Sequence, residues 1–146
     1  MIKTKISGVG YYLPNQVITN QDLEQEMDTS NEWIVSRSGI EERRWVRDGI
    51  CTSDLAFEAS KKAMKDAKVS SEDIDLVIVG TITSDYFFPG VSAQLQAALG
   101  LRNIAAFDIK AACSAFVYSL SIADQFIRTG QYTTALVVGA EAQTKF

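Results

Sequence analysis

Three short runs constrain this chain more than anything else in it: "LVIVGTI" (Leu76 to Ile82), "IAAFDI" (Ile104 to Ile109) and "ALVVGA" (Ala135 to Ala140). Each is almost continuously apolar and of strand length. A strand with one wet face alternates apolar and polar residues, so an unbroken run suits a strand covered on both faces. Helical patterns separate them. Residues 91–99 form a small-residue helix between Pro89-Gly90 and Gly100, and residues 113–129 form an apolar helix closed by Gly130. Buried strands joined by helices call for crossovers and a mainly parallel sheet, which places the chain in the α/β class.

The first half is read more locally. Residues 3–12, "KTKISGVGYY", carry the β-branched and aromatic content of a strand and stop at Pro14-Asn15. Residues 20–27 predict a short helix capped by Asn20, and residues 30–38 a second helix ending at Gly39. "ERRWVR" reads as a solvated loop beside two glutamates. Residues 53–67, "SDLAFEASKKAMKDA", are amphipathic. Leu55, Ala59, Ala63 and Ala67 share a face, and Ser53 or Thr52 is the expected cap. "SSEDID" reads as a turn. The helix at 113–129 is apolar almost all round, with Phe116, Val117, Leu120, Ile122, Ala123, Phe126 and Ile127 nearly circling it. Such a helix needs cover on all sides, more than one sheet supplies.

Composition removes several functions. With 47% apolar and 22% charged residues the chain is globular rather than disordered. A net charge of −4 and no basic patch argue against nucleic acid as a partner. No apolar run has the length of a membrane span, and the N-terminus lacks the apolar core of a signal peptide. Two cysteines in unlike contexts form neither a metal-ligand nor a disulfide pattern, so a reducing, cytoplasmic setting is expected.

Cys113 lies in "FDIKAACSAF", between the end of a strand and the start of the apolar helix. A helix N-terminus carries unsatisfied N–H groups and a partial positive charge. That field favours thiolate over thiol, and the same N–H groups can bind the oxyanion of a tetrahedral intermediate. Ala111, Ala112 and Ala115 keep bulk away from it. Two readings stay open on position alone: a nucleophile, or a small buried residue filling the junction. The chain has no histidine, the usual partner of a catalytic cysteine. Cys51, in "DGICTSD", has nothing nearby to activate it and reads as structural.

The segment Asp28 to Gly39 has its own pattern. Thr29 and Glu32 fit a capping box, and Thr29, Trp33 and Arg37 then fall at i, i+4 and i+8. A tryptophan face can stack on a purine and a guanidinium can bind phosphate. The plainer alternative is a capped helix with Trp33 in the core. "GVG" at 8–10 is not a dinucleotide loop, because Leu13-Pro14 stands where a third glycine and a helix should follow.

Over its whole length the chain resembles the β-ketoacyl-acyl carrier protein synthase III family. The resemblance is carried by "GVGYYLP", "DTSNEWIVSRSGIEER", "TSDLAFEASKKAM", "AAFDIKAACSAF" and "ALVVGAE", in family order and spacing. It implies a thiolase-like layered fold, with a mainly parallel mixed sheet and a buried central helix, of which residues 1–146 would be the N-terminal half. It implies that Cys113 takes an acyl group from acyl-CoA and that malonyl-acyl carrier protein then condenses with it, losing CO2. Thr29, Trp33 and Arg37 match positions that line the coenzyme A site. Phe88, in "DYFFPG", matches a position that closes the partner's acyl pocket in a homodimer, although an ordinary loop anchored by aromatics would look the same. Acyl-CoA enters as substrate; no cofactor, metal, nucleic acid or membrane is expected.

The sequence also departs from the family. Lys110 stands where a small residue is usual, Ala115 where glycine is common, and Trp45 is large for its position. These bear on acyl-chain preference. Family members are about twice this length and draw a histidine and an asparagine from their second half. The chain is therefore expected to be an incomplete condensing enzyme. Other thiolase-superfamily chemistry (polyketide-starter, quinolone or hydroxymethylglutaryl-CoA type) and a catalytically incomplete structural fragment are the alternatives.

Overall fold

The computed structural model describes residues 2–47 and 49–145. They form two compact units, one of Met1–Tyr12 with Cys51–Gln143, the other of Leu13–Ile50 with Thr144–Phe146.

The larger unit is built on a parallel sheet in the order β4-β3-β5, with β3 at Leu76–Gly80, β4 at Ala105–Ile109 and β5 at Ala135–Gly139. Leu76 pairs with both Ala105 and Ala135, so the three strands run in step. These are the three apolar runs of the sequence, and β3 is wholly buried along its length, as an unbroken apolar strand requires. Its side chains alternate between two cores. Val77 and Val79 join Ala56, Val91, Leu95, Leu136 and Val138 beneath α3 (Thr52–Ala67) and α4 (Val91–Ala98). Leu76 and Ile78 join Ala123 and, at the margins, Phe107, Phe126 and Val137 beneath α5 (Ala115–Arg128). The unit is thus three layers: two helices, a sheet, one helix.

α5 meets the sheet through a narrow stripe, Ala115, Ser119 and Ala123. Phe116, Val117, Tyr118 and Leu120 on its other flank are exposed among the described residues. The cover expected for a helix apolar all round is present on one side. α3 begins one residue earlier than expected. Cys51 holds the N-cap position, and Asp54 reaches back to accept its backbone N–H at 2.7 Å. Neither Ser53 nor Thr52 caps it. Thr52 is buried and donates its hydroxyl to the Thr83 carbonyl at 2.6 Å. "SSEDID" holds a short 3-10 turn at Ser71–Asp73.

Residues 3–12 are not a strand. Their composition suits one, but a ladder needs a neighbouring strand. This segment lies on a helix instead. A Cβ at Gly8 would stand 2.3 Å from the Ala67 nitrogen, and one at Gly10 2.3 Å from the Ala63 nitrogen. The alanine face read from the sequence at 59, 63 and 67 therefore receives a bare backbone, which only glycine permits.

The smaller unit holds an antiparallel pair, β1 (Gln16–Thr19) with β2 (Glu42–Trp45), and two helices, α1 (Asn20–Glu24) and α2 (Asn31–Ser38). The basic run expected to be a loop is thus mostly strand. Its Arg43 is drawn inward, donating to the Asn20 side-chain oxygen at 2.7 Å. Asn20 is not a cap. It is fully buried and also donates to Asn31 and to the Ile40 carbonyl. Thr19 caps α1 instead, in a capping box with Asp22. That bonding to Thr19, first through the Asp22–Thr19 backbone contact, holds the Asp22 carboxyl below its ordinary range. Likewise α2 is capped by Ser30, whose hydroxyl accepts from Trp33 N–H at 3.1 Å, and not by a Thr29–Glu32 box. α2 ends as expected at Gly39, with φ 70°. No helix of the described residues is long and apolar enough to cross a membrane.

Candidate active site

At the C-terminal ends of a parallel sheet, loops leave the strands and side chains converge. β4 ends at Ile109. Lys110 and Ala111 follow, and then a single 3-10 turn, Ala112–Ser114, opens directly into α5. Cys113 sits in the middle of that turn and is exposed. It is not the buried space-filler that the junction also allowed.

Two features shape the turn. Ala112 has φ 46°, a left-handed conformation that alanine rarely adopts, and Ser114 N–H closes onto the Ala111 carbonyl at 3.1 Å. A strained residue just before an exposed nucleophile-type side chain, between strand and helix, has the logic of a nucleophile elbow. Next, α5 comes down tightly on the end of β3. A Cβ on Gly80 would lie 2.9 Å from the Ala115 Cβ and 3.1 Å from the Phe116 nitrogen. Ser114 makes no side-chain cap to α5. The first-turn amides beside Cys113 are therefore left uncapped by it.

A carboxylate orders the neighbouring loops. Glu141, just past β5, accepts from Ile82 N–H at 2.9 Å and Thr83 N–H at 3.1 Å through its two oxygens, and from the Thr83 hydroxyl at 2.5 Å. The Thr83 Oγ1 in turn accepts from Ala142 N–H at 3.0 Å. The segments leaving β3 and β5 are tied together in this way. Phe88 lies on the loop between β3 and α4 and is 85% exposed. Lys110 places its ammonium 5.5 Å from the Phe87 ring centroid.

Sequence reasoning missed Glu141, Asp85 and Asp108. A signal existed for the last, since an aspartate inside an otherwise apolar strand must find buried partners. Thr29, Trp33 and Arg37 belong to the smaller unit. Thr29 lies outside α2, so the three do not form one helical stripe. Trp33 and Arg37 do come together. Trp33 is 58% exposed rather than in a core, and the Arg37 guanidinium stands 5.9 Å from its ring centroid. Among the described residues no group of three or more histidine, cysteine, aspartate or glutamate side chains could hold a metal ion.

The larger unit's parallel sheet packed against helices recurs in solved proteins. The 3-oxoacyl-[acyl-carrier-protein] synthase III of Aquifex aeolicus VF5 superposes with a TM-score of 0.94 at 46% identity, covering 97% of this chain and 46% of that one. The fold is that of a thiolase-like α/β segment. A family profile described as 3-oxoacyl-[acyl-carrier-protein] synthase III matches residues 107–146, the stretch holding Cys113. The chain is 54% identical over 144 residues to the beta-ketoacyl-[acyl-carrier-protein] synthase III of Xanthomonas campestris pv. campestris (strain 8004). It is 51% identical over 144 residues to that of Caldanaerobacter subterraneus subsp. tengcongensis. Both alignments take in 99% of this chain and 44% of the relative, so the chain spans less than half of their length. Over nearly its whole length it is similar to the N-terminal half of beta-ketoacyl-[acyl-carrier-protein] synthase III proteins.

Proposed function

We propose that Cys113 is the acyl acceptor of a fatty-acid-initiating condensing enzyme. One observation carries the reading: an exposed cysteine on a strained turn at the mouth of α5, in the stretch the family profile matches. The thiolate attacks the carbonyl carbon of acyl-CoA. The first-turn N–H groups of α5 donate to the oxyanion, the bond from carbonyl carbon to the coenzyme A sulfur breaks, and coenzyme A leaves with the proton the cysteine gave up. In the longer family proteins malonyl-acyl carrier protein would then lose CO2. Its carbanion would form the new carbon–carbon bond and release the Cys113 sulfur, giving a 3-ketoacyl carrier protein. The family resemblance assigns that second step to a histidine and an asparagine of the second half, and this chain contains no histidine.

In the smaller unit, Trp33 offers an exposed ring for a purine and Arg37 a guanidinium for phosphate, with Thr29 in the turn before α2. This suits the nucleotide end of coenzyme A. Incubation with acetyl-CoA followed by intact-mass and peptide mapping tests the reading. An acetyl adduct on Cys113, lost in Cys113→Ala, is expected. No adduct, or one that persists in Cys113→Ala, would overturn the assignment for this chain.

A further inference from the structure

The first turn of α5 rests on two strand ends stripped of side chains. A Cβ on Gly80, the last residue of β3, would meet the Ala115 Cβ and the Phe116 nitrogen, and one on Gly139, the last of β5, would lie 3.2 Å from the Phe116 ring. Ala115 and Phe116 are two and three residues beyond Cys113. The level of the two strand ends thus sets where the amides beside Cys113 point. Backbone bonds carry the sheet one step further, from Thr81 N–H to the Ile109 carbonyl and from Ala140 N–H to the Gly80 carbonyl, both at 3.2 Å. Past that point one carboxylate takes over. Glu141 Oε1 accepts from Ile82 N–H, and Oε2 accepts from Thr83 N–H, the Thr83 hydroxyl and, at 3.3 Å, the Thr81 hydroxyl. These donors all lie within three residues of Gly80, and Glu141 is two residues from Gly139. Thr81, Thr83 and Ala142 around it are buried.

Any hydrogen-bonding pair could tie two loops together. A shared carboxylate does more, because it draws both strand ends to one point with charge-assisted, directional bonds. We infer that Glu141 is a positioning residue for Cys113. Through its bonds to residues 81–83 it levels the ends of β3 and β5, and so aims the first-turn amides of α5 at the oxyanion formed when the cysteine is acylated. The inference deepens the reading of Cys113 as acyl acceptor and rests on it for the reaction; the aim of the amides is tested without coenzyme A.

Two small reagents separate the aim of the amides from mere exposure of the thiol. With p-nitrophenyl acetate the thiolate attacks the carbonyl carbon, an oxyanion forms, and p-nitrophenolate leaves. With iodoacetamide the thiolate displaces iodide from carbon and no oxyanion forms. Both rates scale with the same thiolate. Their ratio at Cys113, resolved by peptide mass spectrometry, therefore reads oxyanion support. In the unaltered chain the acylation-to-alkylation ratio is expected to exceed that of glutathione, a thiol with no protein around it. Glu141→Gln should lower it by about tenfold, a part of what outright loss of an oxyanion donor costs, because either placement of the new NH2 group faces a backbone N–H. Thr83→Val removes the hydroxyl while keeping nearly the same shape, and should lower the ratio in the same direction. Thr83→Ser should keep the parent ratio. Iodoacetamide rates should stay at the parent value throughout. A merely structural Glu141 would lower the melting temperature and leave the ratio alone, and that result overturns the inference. So does a parent ratio equal to that of glutathione, or a Thr83→Ser ratio as low as that of Thr83→Val. A fall explained wholly by faster alkylation marks plain loosening and overturns it too, as does failure of both Glu141→Gln and Thr83→Val to fold. If acetyl-CoA leaves no adduct while the ratios behave as expected, the acyl-acceptor reading fails and the positioning stands.

Discussion

Ala112 concentrates the site's demands on a single residue. At φ 46° its Cβ crowds the following carbonyl, at a cost of about 1–2 kcal/mol for an L-residue. The reward is a cysteine turned outward at the start of α5. Ala112→Val adds a branched Cβ that tolerates this conformation worse. It is expected to lose about 1–3 kcal/mol of stability, by chemical denaturation, and to slow acetyl transfer to Cys113. The position of Cys113 between strand and helix was legible in the sequence, because a buried strand and a helix pattern bracket it. The left-handed residue was not, since alanine gives no sign of it. Cap residues were misread by one position for a related reason. Thr19 and Asn20, like Thr29 and Ser30, are adjacent and equally able to cap. Tertiary bonds decided, drawing Asn20 into a bracket with Arg43 and leaving Thr19 the cap.

Among elements, the junction of α5 with β3 matters most to the site. Contact there is so close that Gly80→Ala would place a methyl 2.9 Å from the Ala115 Cβ. The helix must lift or the strand bend, and overpacking of this kind costs about 1–3 kcal/mol. Because α5 begins two residues after Cys113, the variant is expected to lower both the melting temperature and the rate of Cys113 acylation. Calorimetry and intact-mass kinetics would follow the two effects. Strands β3, β4 and β5 were legible as apolar runs, but the two-sided burial such a run suggests is complete only in β3; β4 is half-buried throughout and β5 is buried at Leu136 and Val138 alone. β1 and β2 were not legible, because "QVIT" and "ERRW" are short, polar and only partly buried. Their pairing depends on side chains such as Arg43 finding distant partners. Residues 3–12 erred the other way, with strand composition but a helix for a neighbour.

At the scale of the whole molecule, one aspartate ties together the entrances of all three parallel strands. Asp75, immediately before β3, accepts from Thr133 N–H at 3.0 Å, from the Thr133 hydroxyl, from Thr134 N–H at 3.2 Å and from Arg102 at 3.2 Å. The Thr133 hydroxyl bond is the main reason its carboxyl lies below the usual range, against a smaller opposing effect of burial. A carboxyl depressed on folding stabilises above its unfolded pKa of roughly 3.9. That contribution disappears as pH falls through the lower folded value. Asp75→Asn is therefore expected to be less stable at neutral pH by about 1 kcal/mol, given its partial exposure. Urea titrations from pH 7 downward should show the gap closing once the parent's Asp75 is protonated. A gap that stays constant to the lowest pH would contradict this role.

The placement of β3 has a further consequence, in time rather than in space. It pairs with β4 on one edge and β5 on the other, and both are made after it. During synthesis it leaves the ribosome first and waits with two open edges, then with one, until Gly139 has emerged and α5 has crossed its face. An apolar strand with an unpaired edge invites the wrong neighbour. Pauses in translation between Gly80 and Ala135 would thus leave this strand with at least one edge unpaired.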